Sequence, residues 1–209
     1  MGNFEMPDYK KLKENTKNYE MDEYRWSRGW AEMYTGLHGR ETNGFYEMPE
    51  LDGTTRFTRK FTWKDAAKNP KVEFLWDILD DAGISSVFMN IPTTFPAPPL
   101  KHGIFVAGAG GGLNNLSGIP EGLCSDKEIE NLLTEMKYIV DLRYKTSKIS
   151  ELELLFVKLD EMMLRRAECF VEICKRHDAD FGFLALRATT IVQYVGLSEI
   201  EMLGSNEIY

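Results

Sequence analysis

The chain has 209 residues, of which 43% are hydrophobic and 28% charged, and these values predict one globular domain with a sizeable core. Its formal net charge is −8, from 25 Lys and Arg residues against 33 Asp and Glu residues. This balance disfavours binding to nucleic acid or to an anionic membrane, because both surfaces need clustered positive charge.

The sequence also predicts the compartment. No apolar run approaches the roughly 20 residues that a membrane span needs, and residues 1–20 are too polar for a signal peptide. The three cysteines, Cys124, Cys169 and Cys174, have no disulfide-framework spacing. We therefore expect a soluble cytoplasmic protein whose helical cysteines pack as core residues.

The first third of the chain carries weak structural signals. Pro7 and Asp8 open a short helical stretch. Residues 54–63 alternate in polarity, with Phe57 and Phe61 at odd positions, and this pattern predicts a strand or a hairpin.

The central segment predicts an α/β layer. Residues 72–82 form a helix with one apolar face, and Gly83 follows where a C-terminal cap glycine belongs. Residues 84–91 and 103–107 then predict two buried strands. The acidic side chains of that helix are expected to form a solvated face; they are Asp77, Asp80 and Asp81.

Two long helices are predicted next. The first is capped by Ser125, with an apolar stripe over residues 129–140, and the second runs from a capping box at Ser150 to Arg176, on the order of 40 Å. The predicted stripe of the second helix is Leu152, Phe156, Leu159, Met163, Ala167, Phe170 and Cys174. A strand over 181–186 and a helix over 191–203 complete the expected α/β fold.

Two loops could carry chemistry. The glycine-rich segment 106–112 follows a strand, but residues 113–122 do not predict the helix that a dinucleotide-binding loop requires. The proline-rich segment 92–99 predicts a rigid extended loop at the end of a buried strand, where open α/β sheets place ligands. A surface crossover without a ligand explains the same composition. The histidines His38, His102 and His177 lack metal-ligand spacing.

The central segment resembles the type I phosphodiesterase and nucleotide pyrophosphatase branch of the alkaline phosphatase superfamily. The matching stretches are Phe74-Leu75-Trp76-Asp77-Ile78-Leu79, Ala82-Gly83-Ile84, Met89-Asn90-Ile91-Pro92-Thr93-Thr94-Phe95-Pro96 and Gly103-Ile104-Phe105-Val106-Ala107-Gly108. Shorter matches at Met6–Leu12, Gly29–Tyr46 and Asp180–Tyr194 flank them in the family's order. The resemblance implies a partial α/β/α sandwich with a mostly parallel sheet and two long helices.

The resemblance also implies what is missing. Family members hold two metal ions, usually zinc, with aspartates and histidines, and use Thr or Ser as the nucleophile. In this chain Trp26 falls at the nucleophile position with Ser27 after it, and Thr190 and Tyr194 replace an aspartate and a histidine. The family's first strand and its closing ligand segment would lie outside residues 1–209. Neutral side chains are poor ligands for paired divalent cations, so no metal or cofactor is expected.

Three hypotheses follow from this pattern. The first is a non-catalytic relative, a pseudoenzyme, that binds another protein chain or assembles as a homo-oligomer; it could also hold a phosphorylated or nucleotide-like ligand through Asn90, Thr93 and Arg187. The second is a zinc phosphodiesterase or phosphohydrolase completed by another chain, with Ser27 as the catalytic residue. The third is a plain α/β domain whose long helix, residues 150–176, serves in assembly.

Overall fold

The computed structural model describes residues 7–17, 26–44, 47–49, 53–54, 56–108, 118–142, 149–188 and 190–192. Its helices are α1 (Pro7–Glu14), α2 (Trp26–Thr35), α3 (Gly39–Thr42), α4 (Trp63–Ala66), α5 (Leu75–Asp81), α6 (Lys127–Glu135) and α7 (Ile149–Arg176). Its strands are β1 (Glu47–Pro49), β2 (Phe57–Lys60), β3 (Ser86–Ile91), β4 (Gly103–Ala107) and β5 (Phe181–Leu184).

The main sheet has three parallel strands in the order β4-β3-β5. Ser86 at the start of β3 is paired with Gly103 on one side and with Phe181 on the other. β3 is buried along its whole length, as its continuous apolar run predicts for a central parallel strand. The predicted α/β class is confirmed. β1 and β2 form a separate antiparallel pair. The strand-or-hairpin prediction for residues 54–63 is therefore correct as a strand at Phe57–Lys60, whose partner lies at Glu47–Pro49, and it is wrong at Trp63, where α4 begins.

One face of the sheet is covered by aromatic side chains. Phe88 of β3 and Phe105 of β4 stack with ring centroids 5.4 Å apart. Trp76 of α5 meets Phe105 edge-on at 5.1 Å, and it also contacts Tyr34 of α2 at 5.0 Å. Such offset and edge-on pairs favour one fixed packing, so α2 and α5 are held against this face.

The opposite face is mostly aliphatic. Val87 and Met89 of β3, which alternate with Phe88, pack with residues of α6 and α7 such as Leu133 and Ile173. Helices therefore cover both faces, and the expected three-layer α/β/α arrangement is present in the described residues.

Helix α5 contains a buried acid that the sequence pattern assigned to solvent. Gly83 has φ of 71°, as expected for a helix-ending glycine. Asp77 and Asp81 are exposed, but the side chain of Asp80 is buried, with 9% relative exposure. The solvated-face prediction is wrong for Asp80 because its carboxylate accepts backbone N–H groups from the loop that precedes β4.

Helix α6 is shorter than the predicted first long helix. Its N-cap is Asp126 instead of Ser125, and the Asp126 carboxylate accepts hydrogen bonds from the N–H groups of Glu128 and Ile129. The helix ends at Glu135, and Lys137 adopts φ of 56°, which an α-helix cannot continue through.

Helix α7 confirms the second long helix, with 28 residues or about 42 Å. It begins at Ile149, one residue before the predicted cap. The predicted stripe lies at one margin of the buried face. Leu159 is buried, and the other described members of the stripe are partly buried; they are Phe156, Met163, Ala167, Phe170 and Cys174. The buried residues of the helix are Leu155, Leu159, Met162, Arg166, Cys169 and Ile173.

Apolar residues also occupy the solvent side of α7. We call Leu154, Val157, Leu164 and Val171 the outer stripe; their exposures are 56%, 65%, 58% and 48%. The solvent side of α7 therefore mixes apolar residues with exposed charged ones such as Asp160, Glu161 and Glu168, and periodicity defines the buried face less sharply than in a fully polar-sided helix.

None of the helices in the described part of the chain combines the length and the hydropathy of a bilayer-spanning segment. Most of the predicted helix 191–203, and residues 109–112 of the glycine-rich loop, lie outside the described residues.

Candidate functional site at the carboxyl edge of the sheet

The order of the strands reverses between β3 and β5. The chain passes from β3 to β4 on one side and then returns to β5 on the other side of β3. All three strands are parallel, so their carboxyl ends lie at one edge of the sheet. In open α/β sheets, ligands bind outside the carboxyl ends of strands where the order reverses, and this edge is therefore the candidate site.

Asn90 links the carboxyl ends of β3 and β5. It adopts the left-handed conformation, with φ of 62°, and its register position is skipped in the pairing of β3 with β4. Its side-chain amide donates a hydrogen bond of 2.6 Å to the carbonyl of Ala185, just beyond β5. The amide thus acts as a bridge that holds the two strand ends together.

The turn after β3 is buried and held by hydroxyl groups. Thr93 has φ of 69°, and its hydroxyl donates to the carbonyl of Pro92. The Tyr34 hydroxyl lies 3.2 Å from Thr93 Oγ1 and must donate, because the only proton of Thr93 is already used. Burial raises the pKa of Tyr34 well above its ordinary value, so this phenol stays neutral.

The rest of the proline-rich segment is equally fixed. Thr94 donates to the carbonyl of Ile91 at 2.6 Å, and it accepts the N–H of Gly108 at 3.1 Å. The Trp63 indole donates to the carbonyl of Pro96 at 2.8 Å. Hydrogen bonds therefore hold residues 93–96 in place, while the predicted rigidity of the whole segment 92–99 stays a prediction. Residues 92–94 are buried in a turn instead of being extended on the surface, since these hydroxyls satisfy the local backbone.

Arg187 lies three residues after β5 and forms an ion pair. Its guanidinium NH2 group is 3.1 Å from Oδ2 of Asp141. Both side chains are largely shielded from water, with side-chain exposures of 24% and 13%. An anionic ligand at this arginine would have to compete with the Asp141 carboxylate.

A second arginine, which the sequence analysis did not single out, supports the same segment. Arg166 of α7 is 1% exposed. Its Nε donates to the carbonyl of Ile139 at 3.1 Å, and its Nη2 donates to the carbonyl of Val140. Its guanidinium lies 6.0 Å from the ring centre of Tyr138. Burial lowers the pKa of Arg166, whereas Tyr138 and Asp141 favour its charged form.

The predicted site residues are only partly brought together. Asn90, Thr93 and Arg187 lie at the same sheet edge, since Asn90 bonds Ala185 two residues before Arg187. Ser27 lies in the first turn of α2, seven residues before Tyr34, or about 10 Å along the helix axis. Its side chain lies outside the described set. Thr190 follows the Arg187 turn, and Tyr194 is not among the described residues.

The sequence contains a signal for the buried Arg166. An arginine at position 166 interrupts a run of apolar residues at helical spacing, and such a residue must find buried acceptors. The partners themselves lie 26 and 27 residues away, which no local pattern reveals. Among the described residues, no three His, Cys, Asp or Glu side chains converge as a metal site would require.

Comparison of the chain with protein-family models, with curated proteins and with solved structures gives no significant match. The resemblance to phosphodiesterases therefore stays a prediction from the sequence.

Proposed function

We propose that this chain is a binding or assembly protein, a non-catalytic relative of metal-dependent phosphodiesterases, and that it works through the outer stripe of α7. The observation that carries the proposal is the exposure of four large apolar side chains along one helix. Surface helices normally present polar residues to water, and four large apolar side chains on the solvent side of one helix are more than such a helix needs, which favours a role in binding.

The polar groups at the sheet edge support this choice over small-ligand chemistry. The Asn90 amide is bonded to Ala185, the Thr93 hydroxyl to Pro92 and Tyr34, and Arg187 to Asp141. A phosphorylated or nucleotide-like ligand would have to compete with these contacts for the same side chains. The edge is therefore better suited to holding the fold than to holding a ligand.

A cytoplasmic setting fits the sulfur chemistry. Cys124, Cys169 and Cys174 are all free thiols, and the first two are buried. Burial raises the pKa of Cys124 to about 12 and that of Cys169 to about 11, so neither supports nucleophilic catalysis near neutral pH. This favours a structural role for them in a reducing compartment.

The test asks whether the chain is a hydrolase. The purified chain and its Ser27→Ala variant are loaded with zinc and assayed with a chromogenic phosphodiester. We expect that the chain shows no zinc-dependent turnover that is lost in Ser27→Ala. Stoichiometric zinc together with turnover that is lost in Ser27→Ala would overturn the proposal, whatever the oligomeric state.

A second candidate is a phosphodiesterase completed by another polypeptide. The observation in its favour is the convergence of Asn90, Thr93 and Arg187 at a topological switch point, where α/β enzymes place their substrates. In that case the missing aspartates and histidines would come from the second chain. Turnover that appears only on addition of that chain, and that Arg187→Met weakens, would favour this candidate.

A further inference from the structure

We infer that the outer edge of β5 pairs with β5 of a second copy of this chain, so that the sheets of the two copies become continuous. This inference goes beyond the proposed function, because it uses the edge of the sheet and not the outer stripe of α7. The two strands run antiparallel about a two-fold axis, and each copy contributes the same residues.

The two edges of the sheet differ in what covers them. Beside β4, the chain itself continues the ladder: the N–H of Ala107 donates to the carbonyl of Leu123 at 2.7 Å, and the N–H of Ser125 donates to the carbonyl of Phe105 at 2.9 Å. Beside β5, none of the described residues forms a ladder. In the described part of the chain, β5 is therefore the strand at which the sheet ends without a cover.

The backbone groups at this outer edge belong to Gly182 and Leu184. The N–H groups of Phe181 and Ala185 donate to carbonyl groups at the two ends of β3, at 3.1 and 3.0 Å. Successive residues of a strand direct their hydrogen-bonding groups to opposite sides, so those of Gly182 and Leu184 point away from β3. Gly182 is exposed, and because glycine has no side chain, the exposed surface is backbone. Such a row of N–H and C=O groups is a template for another strand.

β5 lacks several features that usually protect an edge strand. Its sequence is Phe-Gly-Phe-Leu, with no charge and no proline, and its pairing with β3 contains no bulge. Its side chains are only partly buried on both faces: Phe181 and Phe183 pack with the aromatic cluster, and Leu184 packs with the aliphatic one. A strand that continues the sheet here must therefore be apolar on both faces, and β5 itself has that composition.

A two-fold axis at Phe183 gives the register of the pair. Gly182 then lies opposite the partner's Leu184, and each such pair exchanges both of its N–H···O bonds. The two copies of Phe183 form the non-hydrogen-bonded pair at the axis, with Cα atoms about 4.5 Å apart, which favours contact between their rings. This register uses the outward N–H and C=O groups of both strands.

The charges beside β5 favour the antiparallel direction. Asp178 and Asp180 precede the strand, and both are exposed. In the antiparallel register, these acids of the two copies lie at opposite ends of the pair, and Asp180 lies opposite the partner's Leu186, which is 43% exposed. A parallel pair would set Asp180 beside the partner's Asp180, and like charges directly opposite each other destabilise a sheet.

The covered edge at β4 limits the assembly to two copies. The antiparallel pair uses the β5 edge of both copies, and the β4 edge is already occupied by the segment that contains Leu123. Within the described residues, no sheet edge then remains for a third copy. The expected species is therefore a closed dimer and not a fibre.

Cysteine cross-linking tests the register. Asp180 and Leu186 are both exposed, and the proposed pair places their Cα atoms about 5.5 Å apart, which a disulfide can span. Asp180→Cys and Leu186→Cys are prepared with tags of different size, mixed and oxidised mildly. We expect the mixed dimer in at least about tenfold greater yield than the dimer of Asp180→Cys with itself. Wild-type protein measures the background from Cys174, because Cys124 and Cys169 are buried.

A proline at the outer edge distinguishes pairing from packing. Sedimentation velocity over a concentration series should show a dimer whose dissociation constant is at least about tenfold higher in Leu184→Pro than in Leu184→Ala. Both variants remove the leucine side chain, but only proline removes the outward N–H, and an edge strand tolerates proline where that N–H faces solvent. Far-UV circular dichroism verifies that both variants fold. The cross-linking result stands without these variants.

Three results would overturn the inference. A monomer at every concentration would mean that no second copy binds. Preferential cross-linking of Asp180→Cys with itself would mean a parallel pair. A dimer with equal dissociation constants in Leu184→Pro and Leu184→Ala would be held by another surface, such as the outer stripe of α7. None of these results involves zinc-dependent turnover, which tests the proposed function separately.

Discussion

Replacement of Asp80 by asparagine should destabilise the fold, because this carboxylate ties α5 to the start of β4. Its oxygens accept the N–H of Lys101 at 2.9 and 3.0 Å and the N–H of His102 at 2.6 Å. Hydrogen bonds to a charged group contribute about 1.5–3 kcal/mol. For a chain of this size, Asp80→Asn should therefore lower the melting temperature by about 3–12 °C.

The pH dependence of the Asp80→Asn effect gives a second, independent check. Burial alone would raise the pKa of Asp80, but the hydrogen bonds from His102 and Lys101 outweigh burial, and the pKa is lowered from 3.8. A lowered folded-state pKa means that the stabilisation is complete above the unfolded value. It is lost as the pH falls through the folded-state value, so the difference between wild type and Asp80→Asn should shrink below about pH 4.

Neighbouring acids on the same helix provide matched controls. Asp81→Asn changes an exposed residue and should shift stability by no more than about 0.5 kcal/mol. Asp77→Asn should be neutral or slightly stabilising, because burial and the charges of Asp81 and Asp80 raise the pKa of Asp77. The measurement is thermal unfolding followed by circular dichroism. Equal losses in Asp80→Asn and Asp81→Asn would refute the reasoning.

Three further outcomes are expected. Gly108→Ala should lower the free energy of unfolding in urea by about 3 kcal/mol or more, because its added Cβ would lie 2.2 Å from a backbone oxygen. Gly83→Ala, whose added Cβ meets nothing within 4 Å, should lower it by only about 1 kcal/mol. Equal losses in the two variants would contradict this reasoning. Tyr34→Phe should cost about 1 kcal/mol through its lost hydrogen bond, and no change would argue against that bond. Cys124 and Cys169 should react with a thiol reagent only at the rate of unfolding; rapid labelling of the native protein would disprove their burial.

The sequence predicts the central layer well because its signals are local. The apolar run of β3, the glycine after α5 and the length of α7 each arise from neighbouring residues. Their order along the chain is sufficient to predict an α/β fold with helices on both faces of a parallel sheet.

What sequence reasoning missed depends on distant partners. The burial of Asp80 is set by N–H groups 21 and 22 residues later, and Arg166 depends on carbonyls 26 and 27 residues earlier. The buried face of α7 was predicted only in part: the predicted stripe contains Leu159 and the partly buried margin, but not Leu155, Met162 or Ile173 at the centre of that face. The sheet edge was located correctly by the proline-rich segment, but the internal bonds of Asn90 and Arg187 have no signature in the local sequence.

Aromatic side chains gather mainly on one face of the sheet, so tryptophan fluorescence arises mainly from that layer. Three of the four tryptophans, Trp30, Trp63 and Trp76, belong to the cluster on the α2 and α5 side, and Trp63 lies 6.5 Å from Trp76. The fluorescence of these three therefore reports mainly on that layer. If α7 detached first during heating, ellipticity at the helical wavelengths would fall while the emission of these three indoles stayed constant, and the unfolding curves from the two probes would separate.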